Sequence, residues 1–234
     1  MAHRESGWSA TWAPGIAHKY GLYVHVNMVN EADAATLFEE GYGYYESKDE
    51  SLLPKAFDCF TRAADMGSMD AVYYLGVMYY NGFAAEQSFE KAVECFSRAA
   101  EAGSQKATYN LGVMYEGGKG VDQDYAKAMD YYLKAADMGS AKAMYNIGTM
   151  HRDGNGVPQD YSKSMEWFRK SAALGFNKAQ FSIGMAFHKG KGVPVNEFEA
   201  MKWFKLAAES GHRKAQLMVN VLKKQINVVT IDMS

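Results

Sequence analysis

Small and apolar residues recur along most of this chain at helical spacing. In the stretch from Ala107 to Ser140, Ala107, Leu111, Met114, Tyr115 and Gly118 fall at i, i+4, i+7, i+8 and i+11, one face of an amphipathic helix. Gly118-Lys119-Gly120-Val121 breaks that run. A second run, Tyr125, Ala128, Met129, Tyr132, Ala135 and Ala136, then ends at Gly139, where glycine tolerates the positive φ of a helix stop. The pattern predicts a helical hairpin of helix A, glycine turn and helix B.

The hairpin recurs at a fixed interval. Gly67, Gly103, Gly139, Gly175 and Gly211 are each 36 residues apart, and so are Ala71, Ala107, Ala143, Ala179 and Ala215. A period of this size marks stacked helix pairs, in which no unit buries its apolar face alone and neighbours complete the core. The expected units are 35–70, 71–106, 107–142, 143–178 and 179–214, followed by a capping helix over 215–225. The first unit departs most: Glu40 takes the usual glycine slot, and Glu46 to Ser51 replaces the glycine turn, as a solvent-facing terminal unit allows. Residues 1–34 are read as an N-terminal arm. Within it Leu22 to Val29 alternates like a strand, and Asn30 and Asp33 resemble a helix start. Ile226 to Ser234 is also strand-like, so the two ends are candidate elements for self-association through unpaired strand edges.

The consensus Ala-x-Tyr-x-Leu-Gly-x-Met-Tyr-x-x-Gly-x-Gly-Val, followed by Lys-Ala, an aromatic pair and Ala-Ala-x-x-Gly, closely resembles the Sel1-like repeat family, a relative of the tetratricopeptide repeat. That resemblance implies an all-α fold, a right-handed α/α superhelix with a concave groove lined by the A helices. Carried over position by position, the groove-facing slots three, four, seven and eleven are Tyr73, Tyr74, Val77 and Asn81; Tyr109, Asn110, Val113 and Gly117; Tyr145, Asn146, Thr149 and Asp153; and Phe181, Ser182, Met185 and Lys189. Rings offer rigid contact area, and the Asn110 and Asn146 carboxamides can both donate to and accept from an extended backbone. The position-three aromatics could instead pack between neighbouring A helices. The resemblance implies a non-enzymatic scaffold for a protein or peptide, with no cofactor or metal. Its alternatives are an inhibitor or immunity protein acting on a toxin and, less favoured, a β-lactam-binding enzyme, whose cysteine pattern and serine-lysine motif this chain lacks.

Composition narrows the partners. The chain has 234 residues, is 48% hydrophobic and carries a formal charge of −2, which removes the usual electrostatic case for nucleic acid. The charge is unevenly placed: ten acids against three bases over 31–70, and eleven bases against three acids over 169–224. This asymmetry reads as solvated faces of opposite bias, as a basic landing surface for an acidic partner, or as head-to-tail contact between copies. Cys59 and Cys95 occupy the same slot of adjacent units, too far apart for a disulfide, so free thiols in a reducing compartment are expected. No stretch is long and apolar enough for a membrane span, and the N-terminus lacks a signal-peptide core. The expected location is cytoplasmic, or periplasmic if a signal was removed.

Other chemistry fits poorly. Gly117 to Gly120 follows a helix rather than the strand a phosphate loop needs. The pairs Tyr131-Tyr132, Trp167-Phe168 and Trp203-Phe204 recur in register and read as packing between repeats. His151 has no nucleophile or metal-spaced cluster beside it in the sequence and reads as a packing residue.

Overall fold

The computed structural model describes residues 33–232. These form α1 (Ala34–Glu46), α2 (Leu53–Asp65), α3 (Met69–Asn81), α4 (Phe89–Glu101), α5 (Gln105–Gly117), α6 (Tyr125–Asp137), α7 (Ala141–Asp153), α8 (Tyr161–Ala173), α9 (Asn177–Lys189), α10 (Glu197–Glu209) and α11 (Arg213–Asp232). Odd-numbered helices are the A helices and even-numbered ones the B helices of an all-α repeat solenoid. The strand-like segment 22–29 lies outside the described residues. At the other end the strand expectation fails, because residues 226–232 continue α11.

Local chemistry sets most boundaries in a repeating way, with α2 and α9 starting on Leu52 and Phe176 without a side-chain cap. Ser68, Ser104 and Ser140 cap α3, α5 and α7 by accepting from the N–H of Ala71, Ala107 and Ala143. Ser88, Asp124, Asp160 and Asn196 do the same for the B helices α4, α6, α8 and α10. Each A helix from α3 to α9 ends on a left-handed glycine, Gly82, Gly118, Gly154 or Gly190.

The hairpin closes on one contact. Gly76, Gly112, Gly148 and Gly184 receive the rings of Phe96, Tyr132, Phe168 and Phe204; a Cβ added at Gly112 would sit 2.5 Å from Tyr132 Cε1. Tyr132 and Phe204 are completely buried. The second residue of each aromatic pair thus locks its own hairpin and also packs against the following A helix, so the expected packing between repeats holds and the glycine seat is added to it. In the first unit Gly41, not Glu40, holds this slot against Cys59 and Phe60. The turn between α1 and α2 is one residue shorter than those that follow, six residues against seven, and this moves α1 by one position.

Successive hairpins join through small residues. Ala128, Tyr132, Ala135 and Ala136 of α6 form one core with Ala143, Ile147 and Met150 of α7, and α8 meets α9 in the same manner through Met165, Phe168, Ala172, Ala179 and Ile183. The second turn glycine also belongs to this interface, since a Cβ at Gly120 would strike the backbone of Phe89 at the start of α4. Ala84 adopts the same left-handed conformation in the second unit, with φ 58°. In α11 Asn220, 36 residues after Gly184, takes the glycine slot, and its Oδ1 accepts from Gln216 at 3.3 Å. A side chain there leaves no seat for the ring of a further B helix.

Among the described residues no helix is long and apolar enough to cross a membrane. Cys59 and Cys95 are free and buried, and desolvation pushes both thiols up.

Two outcomes follow from this packing. Gly112→Ala should destabilise by about 1–3 kcal/mol through overpacking against Tyr132, despite alanine's better helix propensity. Gly43→Ala, where a Cβ meets nothing within 4 Å, should instead stabilise by about 0.5–1 kcal/mol; equal effects of the two in thermal melts would refute the ring seat. With no reductant present, both cysteines should resist a thiol reagent in the folded chain and react fully once it is unfolded.

Candidate functional site

Position three of each A helix stands directly over the locking ring of its own hairpin. Tyr73 lies 5.8 Å from Phe96, Tyr109 5.8 Å from Tyr132, Tyr145 5.5 Å from Phe168 and Phe181 5.6 Å from Phe204, measured between ring centroids. These aromatics are therefore half-buried and held in place, each with one face on the B helix. Their other edges reach the start of the next A helix, Tyr145 meeting Phe176 at 5.3 Å and Phe181 meeting His212 at 4.4 Å, so they also pack between neighbouring A helices.

Position four meets position three of the preceding unit. Tyr74 reaches back to Phe38 at 5.8 Å and stacks on Phe60 at 5.3 Å. Asn110 neighbours the Tyr73 hydroxyl, and Asn146 neighbours the hydroxyls of Tyr109 and Tyr132. Burial pushes the phenols of Tyr73 and Tyr109 up while the carboxamides partly oppose it, so both stay protonated donors at neutral pH. Tyr132 Oη also donates to a Glu116 carboxylate oxygen at 2.5 Å, joining the α5–α7 junction through a polar cluster. Both asparagines are half-buried, so their carboxamides serve the junction between repeats as well as the surface.

Two cavities open along this row. One, of about 280 Å³ between α3 and α5, gathers Tyr73, Val77, Asn81, Tyr109, Asn110 and Val113. The other, of about 360 Å³ between α7 and α9, gathers Tyr145, Phe181, Ser182, Met185 and Lys189. The second is present where position four is a serine, too short to fill the corner that Tyr74 fills with a ring. The remaining expected residues lie outside both cavities. Asn81 Nδ2 donates to the Val77 carbonyl at 2.8 Å even as it borders the first cavity, and Thr149 Oγ1 donates to the Tyr145 carbonyl at 3.1 Å. Gly117 is exposed at the start of its turn. Asp153 takes a two-pronged hydrogen bond from Arg152, at 2.8 and 2.7 Å, which holds its carboxyl below the usual range.

Position ten was missed by the sequence reading. Tyr80 and Arg152 line the cavities, joined in the second by Lys191 from the following turn. Position ten is seven residues after position three, almost two full helical turns, so it belongs to the same stripe; choosing three, four, seven and eleven skipped it. Lys119, the turn residue matching Lys191, donates from Nζ to Tyr80 Oη at 2.6 Å and so ties one unit to the one before. His151 sits half-buried with Nδ1 unpartnered, and burial lowers its pKa, which keeps the ring neutral. Among the described residues no cluster of His, Cys, Asp or Glu is placed to hold a metal.

The Sel1 repeat model matches residues 34–68, 70–104, 105–140, 141–176 and 177–212. A comparison with curated proteins gave no match. Among solved structures, the chain is similar to a protective antigen of uropathogenic Escherichia coli with an SLR fold, at 34% identity and TM-score 0.72, over 81% of this chain and 41% of that one. It thus spans about two-fifths of the length of that relative. It is likewise similar to a Sel1 repeat protein of Oxalobacter formigenes, at 31% identity and TM-score 0.73, over 79% of this chain and 76% of that one. An immunity protein of Pseudomonas aeruginosa shares the fold at 17% identity and TM-score 0.55, over 78% of this chain and 67% of that one. Five consecutive matches cover most of the sequence, and the chain belongs to the Sel1 repeat family.

Proposed function

We propose that this chain is a non-enzymatic interaction scaffold that grips an extended segment of a protein partner along the A-helix row. Sel1 repeat proteins typically mediate protein–protein interaction. The observation that supports this role most directly is that the same helical positions open a cavity twice, between α3 and α5 and again between α7 and α9. An extended chain presents side chains at regular intervals, and a row of equivalent recesses suits such a ligand better than a single small molecule. The rings at position three are fixed by the hairpin lock before any partner arrives, so little side-chain freedom is lost on binding. Asn110 and Asn146 then supply paired donors and acceptors for peptide groups.

The test uses partners captured by the full chain from native lysate and identified by mass spectrometry. In calorimetry the double variant Asn110→Ala, Asn146→Ala should bind such a partner about tenfold more weakly, with a stability loss of only about 1–2 kcal/mol from the missing contacts to tyrosine hydroxyls. Unchanged affinity, or a binding loss explained wholly by unfolding, would remove the asparagines from the site.

A further inference from the structure

The cavity between α7 and α9 has a neighbour. A second, shallower recess of about 420 Å³ shares Tyr145 and Phe181 with it and continues toward α11. The charged lining of the two recesses is entirely basic: Arg152, Lys189 and Lys191 in the first, and Lys178, Arg213 and Lys214 in the second. No carboxylate lines either one. Asp153, held by Arg152 and within the field of Lys191, offsets part of the charge of the first set. His212, stacked on Phe181 at 4.4 Å, adds no charge near neutral pH because burial lowers its pKa.

Two further features describe what would fit. Ser164, 2% exposed, lines the first cavity, and its hydroxyl has no hydrogen-bond partner. A buried helical serine ordinarily returns its proton to a carbonyl one turn back, and an orphaned hydroxyl costs free energy until an acceptor arrives. Around it the surface is apolar and aromatic, with Met165, Phe168 and Met185 beside the shared rings. An occupant must therefore combine apolar contact, a carbonyl-type acceptor and repeated negative charge.

On the reading of this protein as a peptide scaffold, we infer that the α7–α11 end of the A-helix row selects an extended acidic segment of a partner protein. Glutamate or aspartate side chains engage the cations while the segment crosses the Tyr145–Phe181 pair. The contrast with the α3–α5 cavity is chemical: no acidic or basic residue lines that cavity. One scaffold thus reads shape at one end and charge at the other.

Fluorescein-labelled peptides of about ten residues test this, one alternating Glu with Leu and Tyr, one with Gln for every Glu, and one with phosphoserine for every Glu. In anisotropy titrations with the full chain, the Glu peptide should bind about tenfold more tightly than the Gln peptide. That advantage should shrink as NaCl rises from about 50 to about 300 mM. Lys189→Glu, and separately Lys178→Glu with Lys214→Glu, should each weaken the Glu peptide about tenfold without moving the thermal melt, since all three side chains are exposed. Ser164→Ala should weaken both the Glu and Gln peptides a few-fold. Equal binding of Glu and Gln peptides, indifference to both charge reversals, or no binding of the Glu peptide up to about 1 mM overturns the inference. Tighter binding of the phosphoserine peptide than of the Glu peptide would also overturn it, by assigning the recess to phosphate. If the Gln peptide binds as well as the Glu peptide and Asn110→Ala with Asn146→Ala weakens both, the charge selection fails while the scaffold reading stands.

Discussion

The contact on which the molecule depends is an aromatic ring of helix B laid against a glycine of helix A. At Gly148 a Cβ would stand 2.7 Å from the Phe168 ring, and at Gly184 2.6 Å from that of Phe204, so the ring occupies the space that any side chain would need. Interiors are packed at crystal-like density and do not absorb such an overlap cheaply. The ring therefore sets how closely the two helices approach and in which register. It also builds the surface. Because the position-three aromatic rests on this same ring, the row of tyrosines along the A helices is placed by the core beneath it.

Joining one hairpin to the next uses different chemistry. Completely buried alanines such as Ala99, Ala107, Ala135 and Ala143 let the end of each B helix lie against the following A helix, and the second turn glycine lets each turn touch the start of the previous B helix. Where α8 has Ser171 in the small slot, its hydroxyl donates to the Ala141 carbonyl at 2.7 Å, so the polar substitution is satisfied rather than merely tolerated. With helices held at this distance, the corner between positions three and four is a place on the row where the side chain changes size while the stack is kept. Tyrosine fills it at Tyr74, asparagine bridges it at Asn110 and Asn146, and serine leaves it open at Ser182.

Most of this architecture was legible because it is periodic. A 36-residue interval in glycine and alanine reports backbone requirements, left-handed turns and close approaches, that few other residues meet. What escaped was register and partnership. Glu40 was assigned to the glycine slot by counting, whereas a turn one residue shorter puts Gly41 there. The aromatic pairs were read as packing between repeats, which their contacts with the following A helix bear out, but periodicity could not show that the same rings also sit on the glycine of their own hairpin. Alternation in residues 226–232 suggested a strand, yet continuation of α11 satisfies its backbone groups within the helix, with no partner strand needed. For the candidate site, positions three, four and seven emerged from the helical angle, whereas the lysines of the turns lie outside any helical stripe and were invisible to it.

The separation between lock and corner bears on how such a surface can diversify. The ring seat and the alanine joints are buried and shape-limited, so changes there cost stability in every repeat they touch. Positions four and ten and the turn lysines sit on top of that frame with at least one side toward solvent. Tyr80, Glu116, Arg152 and His188 occupy the same position in four successive A helices, and their chemistries are unrelated while the helices beneath them remain alike. A scaffold built this way can alter charge and recess volume at one junction without altering the next. The basic lining at Tyr145 and Phe181 and the uncharged lining at Tyr73 and Tyr109 then need no separate structural explanation, since both stand on the same lock and differ only in the residues that the lock leaves free.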